Sequence, residues 1–180
     1  SAVTNANYGF VLPNDSVSNR LFVAAHIYAG PSGFYMGQNM TSTVCNLADC
    51  SDMISKIKAL ATKWSNSGVP VIVGEFGCIN KNNPTERAFY AEIFNRSCKN
   101  AGMLVPCYWD QGWFDRTQTP ADYSFSIIDR ENCKPIDKEV TDGLIRGIEL
   151  SGDVSTLVKN PTITQITDIS TDKDNVTLTI

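Results

Sequence analysis

Glu75 is the residue whose position most strongly suggests chemistry. It lies at the end of an apolar run that begins at Val69, with Gly74 before it and Phe76 and Gly77 after it. Burying an unpaired carboxylate costs several kcal/mol, so the position requires a partner or the mouth of a cleft. Glu75 is therefore a candidate functional residue; the structural alternative is a salt bridge to a neighbouring strand.

His26 and Tyr28 end an earlier apolar run in the same way. They flank Ile27, so their side chains should point to the same side of an extended segment. An imidazole and a phenol side by side can hold and orient a carboxylate by hydrogen bonds. The alternative is that His26, the chain's single histidine, is a structural residue with satisfied hydrogen bonds.

Aromatic residues follow the third apolar run: Trp109, with Tyr108 and Trp113 nearby. Aromatic rings at the mouth of a cleft can stack on the apolar faces of sugar rings, although they also fill protein cores. Carboxylate and amide side chains occur in the same region: Asp110, Gln111 and Asp115. The combination suggests a carbohydrate ligand.

The elements that position these residues form a repeating pattern. The apolar runs, at 21–26, 69–75 and 103–109, are each followed by a helical pattern. Continuous apolarity is typical of strands buried on both faces of a parallel sheet. Strand and helix in alternation predict an α/β fold with a parallel sheet, in which the carboxyl ends of the strands face the ligand crevice.

Three helices are predicted between and after the strands. The first has Ser51 as its N-cap and ends before Gly68, and the second has the capping sequence Asn83-Pro84-Thr85-Glu86. The third begins at about Pro135. The expected buried residues of the second and third helices are Phe89, Ile93, Phe94, Ile136, Val140, Leu144 and Ile148.

The pattern divides the chain into a loop at 1–20, a domain at 21–150 and a polar, β-prone tail at 151–180. Apolar and polar residues alternate at 162–167 and 176–180, around a polar turn. This alternation predicts edge strands. The tail is either a linker running into a further β domain or a hairpin docked on the main body.

Composition excludes several classes of protein. Among 180 residues, 42% are hydrophobic and 19% charged, which favours one globular domain over a disordered chain. Lys and Arg total 15 against 19 Asp and Glu, a net charge of −4, and no basic run suggests nucleic-acid binding. The apolar stretches are too short to span a bilayer, and no signal segment opens the chain. We therefore expect a mature or trimmed form.

Six cysteines indicate an oxidising, extracellular location. Neither a C-x-x-C spacing nor a nearby histidine is present, so we expect no metal site. Disulfides are favoured, but six cysteines allow about 15 complete pairings and the spacing does not choose among them. A free, buried thiol is the alternative, particularly for Cys107 within its strand.

Taken together, these segments resemble the family 5 glycoside hydrolases that are cellulases. The resemblance extends over about residues 10–148, in motifs that follow one another in the family's order. These are Leu-Pro-Asn-Asp at 12–15, Asn-Arg-Leu-Phe-Val-Ala-Ala-His-Ile-Tyr at 19–28, Val-Pro-Val-Ile-Val-Gly-Glu-Phe-Gly at 69–77, Ile-Asn-Lys-Asn-Asn at 79–83, Tyr-Trp-Asp-Gln-Gly at 108–112 and Ser-Ile-Ile-Asp-Arg at 126–130.

The resemblance implies a (βα)8 barrel that hydrolyses β-1,4-glucans, or related mannans and xylans, with retention and without a cofactor. It implies that Glu75, ending the seventh strand, is the nucleophile. His26 and Tyr28, at the sixth strand, would support the carboxylates and the sugar. Trp109, at the eighth, would stack beneath the sugar, and we expect Asp110 and Trp113 to line the same site.

The chain departs from the family in two respects. A complete barrel needs roughly 200 residues at the least, whereas this chain has counterparts of the sixth, seventh and eighth strands alone. The family's acid/base is the glutamate of an Asn-Glu-Pro-type motif on the fourth strand, and the sequence contains no Asn-Glu pair. We therefore expect a C-terminal half-barrel that is completed by self-association, for example as a homodimer, or by a missing N-terminal half.

Two functions are compatible with this pattern. The first is a secreted endo-β-1,4-glucanase that cleaves through Glu75, with an acid/base recruited from Asp110, Asp115, a partner chain or water. The second is a non-catalytic remnant that binds carbohydrate or only assembles structurally.

Overall fold

The computed structural model describes residues 3, 9–35, 42–102, 104–112, 125–150 and 152–159, and the backbone of 168–171 and 176–179. Strands and helices alternate through most of this range, as the sequence predicts. The main elements are β1 (Val23–His26), α1 (Ser51–Lys63), β2 (Val71–Phe76), α2 (Pro84–Ala101), β3 (Leu104–Tyr108), β4 (Ile128–Asp129), β5 (Lys134–Pro135), α3 (Lys138–Glu149), β6 (Asp168–Thr171) and β7 (Val176–Thr179). The α/β class expected from the sequence is confirmed.

The first three strands form a parallel sheet in the order β1-β2-β3. Val23 pairs with Val71, and Val71 pairs with Leu104; all three side chains are buried. Parallel neighbours are joined by crossover helices, which here are α1 and α2. The strands coincide with the predicted apolar runs to within two residues at each end, while Met103 lies outside the described residues.

The two faces of this sheet differ in exposure. The next row of paired residues consists of Ala24, Ile72 and Val105, and here Ala24 is exposed and Val105 is 55% exposed. Successive residues of a strand point to opposite faces, so the helices cover one face and leave the other accessible. Within the described chain, β1 and β3 each pair on one side only.

The predicted N-cap is wrong for α1 and confirmed for α2. Cys50 occupies the N-cap position of α1, so Ser51 is the first helical residue. Asn83 is the N-cap of α2 and Pro84 the first helical residue, as predicted, although the Asn83 side chain makes no capping hydrogen bond. Its Oδ1 accepts from Lys81 N (3.1 Å) and its Nδ2 donates to Thr43 O (2.7 Å), which holds the preceding loop against the helix.

The start of α3 and part of its buried face also differ from prediction. The helix begins at Lys138 rather than near Pro135, and Ile148 is 44% exposed instead of buried. Val140, Gly143 and Gly147 are the buried residues of α3. The predicted stripe of α2 is confirmed, since Phe89, Ile93 and Phe94 are all buried.

The tail contains an antiparallel hairpin in which β6 pairs with β7, with Asp168 opposite Thr179. The strand predicted at 176–180 is confirmed for residues Val176–Thr179. The strand predicted at 162–167 falls outside the described residues.

All six cysteines carry free thiols in the structure, so the expected disulfides are not formed in this state. Cys107 is exposed, which contradicts the alternative of a buried thiol within the strand. Among the helices of the described residues, none combines the length and the apolarity that crossing a bilayer requires.

Candidate active site

The carboxyl edge of the parallel sheet brings Glu75 and His26 together. His26 is the register partner of Glu75, and a bulge between Ala25 and His26 shifts the pairing by one residue at this point. The imidazole Nδ1 lies 3.3 Å from Glu75 Oε2, and the two side chains are 55% and 25% exposed respectively. The carboxylate is thus neither buried without a partner nor fully solvated.

Tyr28 completes the group around Glu75. Its hydroxyl donates to Glu75 Oε2 (3.1 Å), the same oxygen that faces His26. Burial, together with this hydrogen bond and the nearby negative charge, raises the pKa of Tyr28 well above its usual value. The phenol therefore remains protonated and donates to the carboxylate at neutral pH.

Local packing fixes both supporting side chains. The Tyr28 ring packs edge-on against Phe125, with 5.8 Å between ring centroids. The His26 imidazole lies against Gly74, where a Cβ would be 3.4 Å from His26 Nε2, close to ordinary contact distance. A groove of about 310 Å³ adjoins His26 and Tyr28 and extends to α1, where Ser55 and Lys56 line it.

Trp109 lies at the same edge of the sheet. Its backbone N–H donates to Phe76 O (2.7 Å), which ties the end of β3 to β2 immediately after Glu75. The side chain of Trp109 is 40% exposed. An aromatic ring held by the sheet and open to solvent fits the predicted stacking surface for a sugar.

Asp110 is already engaged in an ion pair. Its Oδ1 accepts from Gly112 N (2.9 Å) and from Arg130 Nη1 (3.2 Å). Burial opposes ionisation, but these hydrogen bonds and the charge of Arg130 prevail and lower the pKa of Asp110. An acid that stays ionised is a poor proton donor at neutral pH. The other predicted residues of this loop, Trp113 and Asp115, lie outside the described residues.

A second layer of polar groups lies behind the site and was not predicted from the sequence. The Arg87 guanidinium is fully buried, and it donates to Asp137 Oδ2 (3.1 Å) and Tyr108 Oη (3.4 Å). Tyr108 in turn donates to Cys78 O (2.9 Å). This network joins the chain just after β2 to the end of β3. Arg87 follows the capping sequence of α2. Its neighbours in the sequence do not distinguish a buried arginine from one on the solvent-exposed face of a helix.

The described residues include no group of three or more His, Cys, Asp or Glu side chains arranged to hold a metal ion. At the edge of the sheet the structure brings together the Glu75 carboxylate, the Tyr28 hydroxyl and the His26 imidazole, with the Trp109 indole at the same edge.

Comparison with known proteins identifies the family. The family model for Cellulase (glycosyl hydrolase family 5) matches residues 1–114 of this chain. This range contains His26, Tyr28, Glu75 and Trp109. The chain belongs to glycosyl hydrolase family 5. The resemblance stated from the sequence motifs is thereby confirmed.

Relatives of this family 5 chain carry related descriptions. It is 30% identical over 134 residues to endoglucanase B of Neocallimastix patriciarum, covering 74% of this chain and 27% of the relative. It is 31% identical over 138 residues to the cellulase/esterase CelE of Acetivibrio thermocellus, covering 76% of this chain and 16% of the relative.

Solved structures show the same α/β arrangement. A family 5 lichenase from Caldicellulosiruptor sp. F32 superposes with a TM-score of 0.69 at 25% identity, covering 82% of this chain and 40% of the lichenase. A broad-specificity endoglucanase from Ruminococcus champanellensis with bound cellotriose gives a TM-score of 0.62 at 28% identity, covering 76% and 37%. The family 5 chain therefore spans about two fifths of these structures and less than a third of the two relatives.

Proposed function

We propose that this chain supplies the nucleophile side of a retaining β-1,4-glucan hydrolase, with Glu75 as the nucleophile. The observation that carries the proposal is the approach of two side chains, His26 and Tyr28, to the same carboxylate oxygen of Glu75. Hydrogen bonds to one oxygen orient a carboxylate and stabilise its charged form. These properties suit a group that attacks an anomeric carbon.

The proposed reaction has two steps. In the first, the Glu75 carboxylate attacks the anomeric carbon and the bond to the leaving oxygen breaks, while an acid protonates that oxygen. In the second, a base deprotonates water, which attacks the glycosyl-enzyme and releases Glu75. Trp109 stacks beneath the sugar at the cleavage site, and Asp110 and Trp113 line it.

We assign the general acid/base of the reaction to a carboxyl group that is not among the site residues named above. The 180 residues contain no Asn-Glu pair, and Asp110 is held ionised by Arg130 and Gly112. We infer that β1, β2 and β3 correspond to strands 6–8 of the barrel. Self-association or an N-terminal half would complete the barrel and supply the second carboxyl group, about 5–5.5 Å from Glu75.

The proposed substrate is a β-1,4-glucan in the extracellular space. The relatives' descriptions as endoglucanase and cellulase support this assignment, and six cysteines favour an oxidising environment. The alternative function is a non-catalytic half-barrel that binds carbohydrate through Trp109. The exposed indole of Trp109 at the edge of the sheet supports such binding.

The test is covalent trapping of the nucleophile. A 2-deoxy-2-fluoro-β-cellobioside with a dinitrophenolate leaving group needs no acid, because that leaving group departs without protonation. The fluorine slows hydrolysis of the intermediate, so the glycosyl-enzyme should accumulate. We expect a mass increase of one fluorocellobiosyl group, located by peptide mapping on Glu75.

Two variants complete the design. Glu75→Gln should form no adduct, whereas Glu131→Gln, which alters an exposed glutamate, should react like the parent chain. An adduct on another residue would refute the assignment of Glu75. A folded chain that binds cello-oligosaccharides but forms no adduct would support the non-catalytic alternative.

A further inference from the structure

Two buried thiols contact each other immediately before α1. Cys45 and Cys50 are both 0% exposed, and their Sγ atoms lie 3.7 Å apart. A disulfide requires about 2.05 Å between sulfurs, a difference that small changes in side-chain torsion angles can supply. Of the possible pairings among the six cysteines, this one is already in contact.

The backbone on both sides of this pair is held in place. Cys45 N donates to Glu86 Oε2 (2.6 Å), and Lys159 Nζ lies 2.7 Å from the same oxygen. Cys50 is the N-cap of α1, so the helix fixes its position. The two sulfurs therefore face each other across a segment that is anchored at each end.

The same segment is tied to the loop that follows β2. Lys81 Nζ donates to Ser42 O (3.0 Å), and Asn83 Nδ2 donates to Thr43 O (2.7 Å). A covalent bond between Cys45 and Cys50 would reinforce a turn that already holds a backbone hydrogen bond from Cys50 N to Leu47 O (3.0 Å). It would fix the start of α1 against the start of α2.

We propose that Cys45 and Cys50 form a structural disulfide when the protein folds in an oxidising compartment. The remaining cysteines are placed differently. Cys78 Sγ lies 4.0 Å from Tyr108 Oη, Cys98 is buried in α2, and Cys107 and Cys133 are exposed. The inference concerns stability and holds whether or not Glu75 is a nucleophile.

The oxidation is a thiol–disulfide exchange. One protein thiolate attacks a small-molecule disulfide such as oxidised glutathione, forming a mixed disulfide and releasing one thiolate. The second protein thiol loses its proton, attacks the first protein sulfur and releases the other small thiol. Two protein thiols are oxidised, and one small disulfide is reduced to two thiols.

The bond should form before the segment is buried. In the folded chain, the hydrogen-bonding contact with Cys50 is the largest cause that raises the pKa of the Cys45 thiol well above its usual value, and burial is the second. Because the thiolate is the attacking species, oxidation of the folded chain is slow, and burial of both sulfurs keeps external reductants away from the bond. Once formed, the bond should therefore resist reductants that do not unfold the protein.

The test is peptide mapping of the 180-residue chain after refolding in a glutathione redox buffer. Exchange is stopped by excess N-ethylmaleimide in denaturant near pH 6.5, which alkylates the free thiols, and the chain is cut before Asp49, which separates Cys45 from Cys50. We expect two peptides that stay joined until reduction. Alkylated Cys45 and Cys50 in folded protein, or a Cys45–Cys78 link, would overturn the proposal.

Thermal unfolding provides an independent readout. A denaturing reductant pretreatment should lower the unfolding midpoint by about 5 °C, as expected for closure of a short loop. The Cys50→Ser variant should lose this reductant effect, whereas Cys98→Ser, which alters another buried thiol, should keep it. An equal effect of reductant on the unfolding midpoints of both variants would count against the assigned pair. If a variant does not fold, the peptide mapping of the parent chain still tests the proposal.

Discussion

His26 and Tyr28 support Glu75 in chemically different ways. Tyr28 is partly buried and keeps its proton, so it donates a hydrogen bond across the neutral pH range. His26 is more than half exposed and contacts the same oxygen through Nδ1. The phenol therefore orients the carboxylate by a hydrogen bond, and the imidazole adds a second contact to the same oxygen.

Replacing Tyr28 by Phe isolates the contribution of the hydroxyl. The ring can keep its edge contact with Phe125, while the hydrogen bond to Glu75 Oε2 is lost. A hydrogen bond to a charged group contributes about 1.5–3 kcal/mol, so we expect adduct formation with the fluorocellobioside to slow by roughly 10–100-fold. Stopped-flow measurement of dinitrophenolate release gives this rate.

The matched control is Tyr35→Phe, since Tyr35 lies elsewhere in the chain and its backbone carbonyl accepts from Ile79 N. It should leave the rate of dinitrophenolate release unchanged. Equal rates for Tyr28→Phe and the parent chain would show that the hydroxyl does not orient the nucleophile.

At the scale of elements, the contact between α2 and α3 depends on two glycines of α3. A Cβ at Gly147 would lie 2.6 Å from Asn95 Cβ and 2.9 Å from Glu92 O, and one at Gly143 would overlap Ala88 O. The close approach also allows Arg96 Nη2 to donate to Arg146 O (2.8 Å). Larger residues would force the helices apart and break these hydrogen bonds.

Gly147→Ala should therefore destabilise the protein even though alanine favours helix formation. The helix gains about 1 kcal/mol from propensity, but overpacking costs about 1–3 kcal/mol and further hydrogen bonds are strained. We expect a net loss in the free energy of unfolding, measured by urea titration followed by circular dichroism.

Ile145→Ala provides the comparison for that prediction, because Ile145 is on the same helix and 50% exposed. Its effect should stay within about 0.5 kcal/mol, the usual range for surface positions. A Gly147→Ala protein that is more stable than the parent would contradict the proposed close packing.

The sequence predicted the elements correctly where hydrophobic burial alone determines them. Apolar runs located the three parallel strands, and the polar residues at their ends located Glu75 and His26. Helix capping was predicted less well, because Asn83 Oδ1 accepts from Lys81 N rather than from an N–H of its own helix. The burial of Arg87 and the exposure of Ile148 were missed, since both depend on contacts between elements distant in sequence.

At the scale of the whole molecule, the sheet has an accessible apolar face. Val105 and Phe22 are 55% and 54% exposed, and Val105 lies in the row of paired residues that also contains Ala24 and Ile72. Exposed apolar surface beside the outer edges of β1 and β3, which pair with no further strand among the described residues, favours association. The expectation of a homodimer or larger assembly follows from this face.

Val105→Lys tests that expectation. A charge on a face that an assembly buries costs several kcal/mol, so the variant should shift towards monomer at low micromolar concentration. Light scattering after size-exclusion chromatography measures the molar mass directly. Val158→Lys changes a valine that is 83% exposed outside the sheet and should leave the molar mass of the parent unchanged.

A compact monomer of the unmodified chain at that concentration would contradict self-association. It would favour the alternative in which a separate N-terminal half covers the face. Mixing the chain with such a half and measuring the mass of the product would then distinguish the two arrangements.

The parallel pairing of the sheet also has a kinetic consequence. Val23 meets Val71, 48 positions later, and Val71 meets Leu104, 33 positions later. Because long loops must close before such contacts form, proteins rich in them fold slowly. Helices α1 and α2 can form locally while the strands remain unpaired, and during that interval β1, β2 and β3 are open to strands of other chains. Refolding yield should therefore depend on dilution, with chain concentration deciding between native pairing and aggregation.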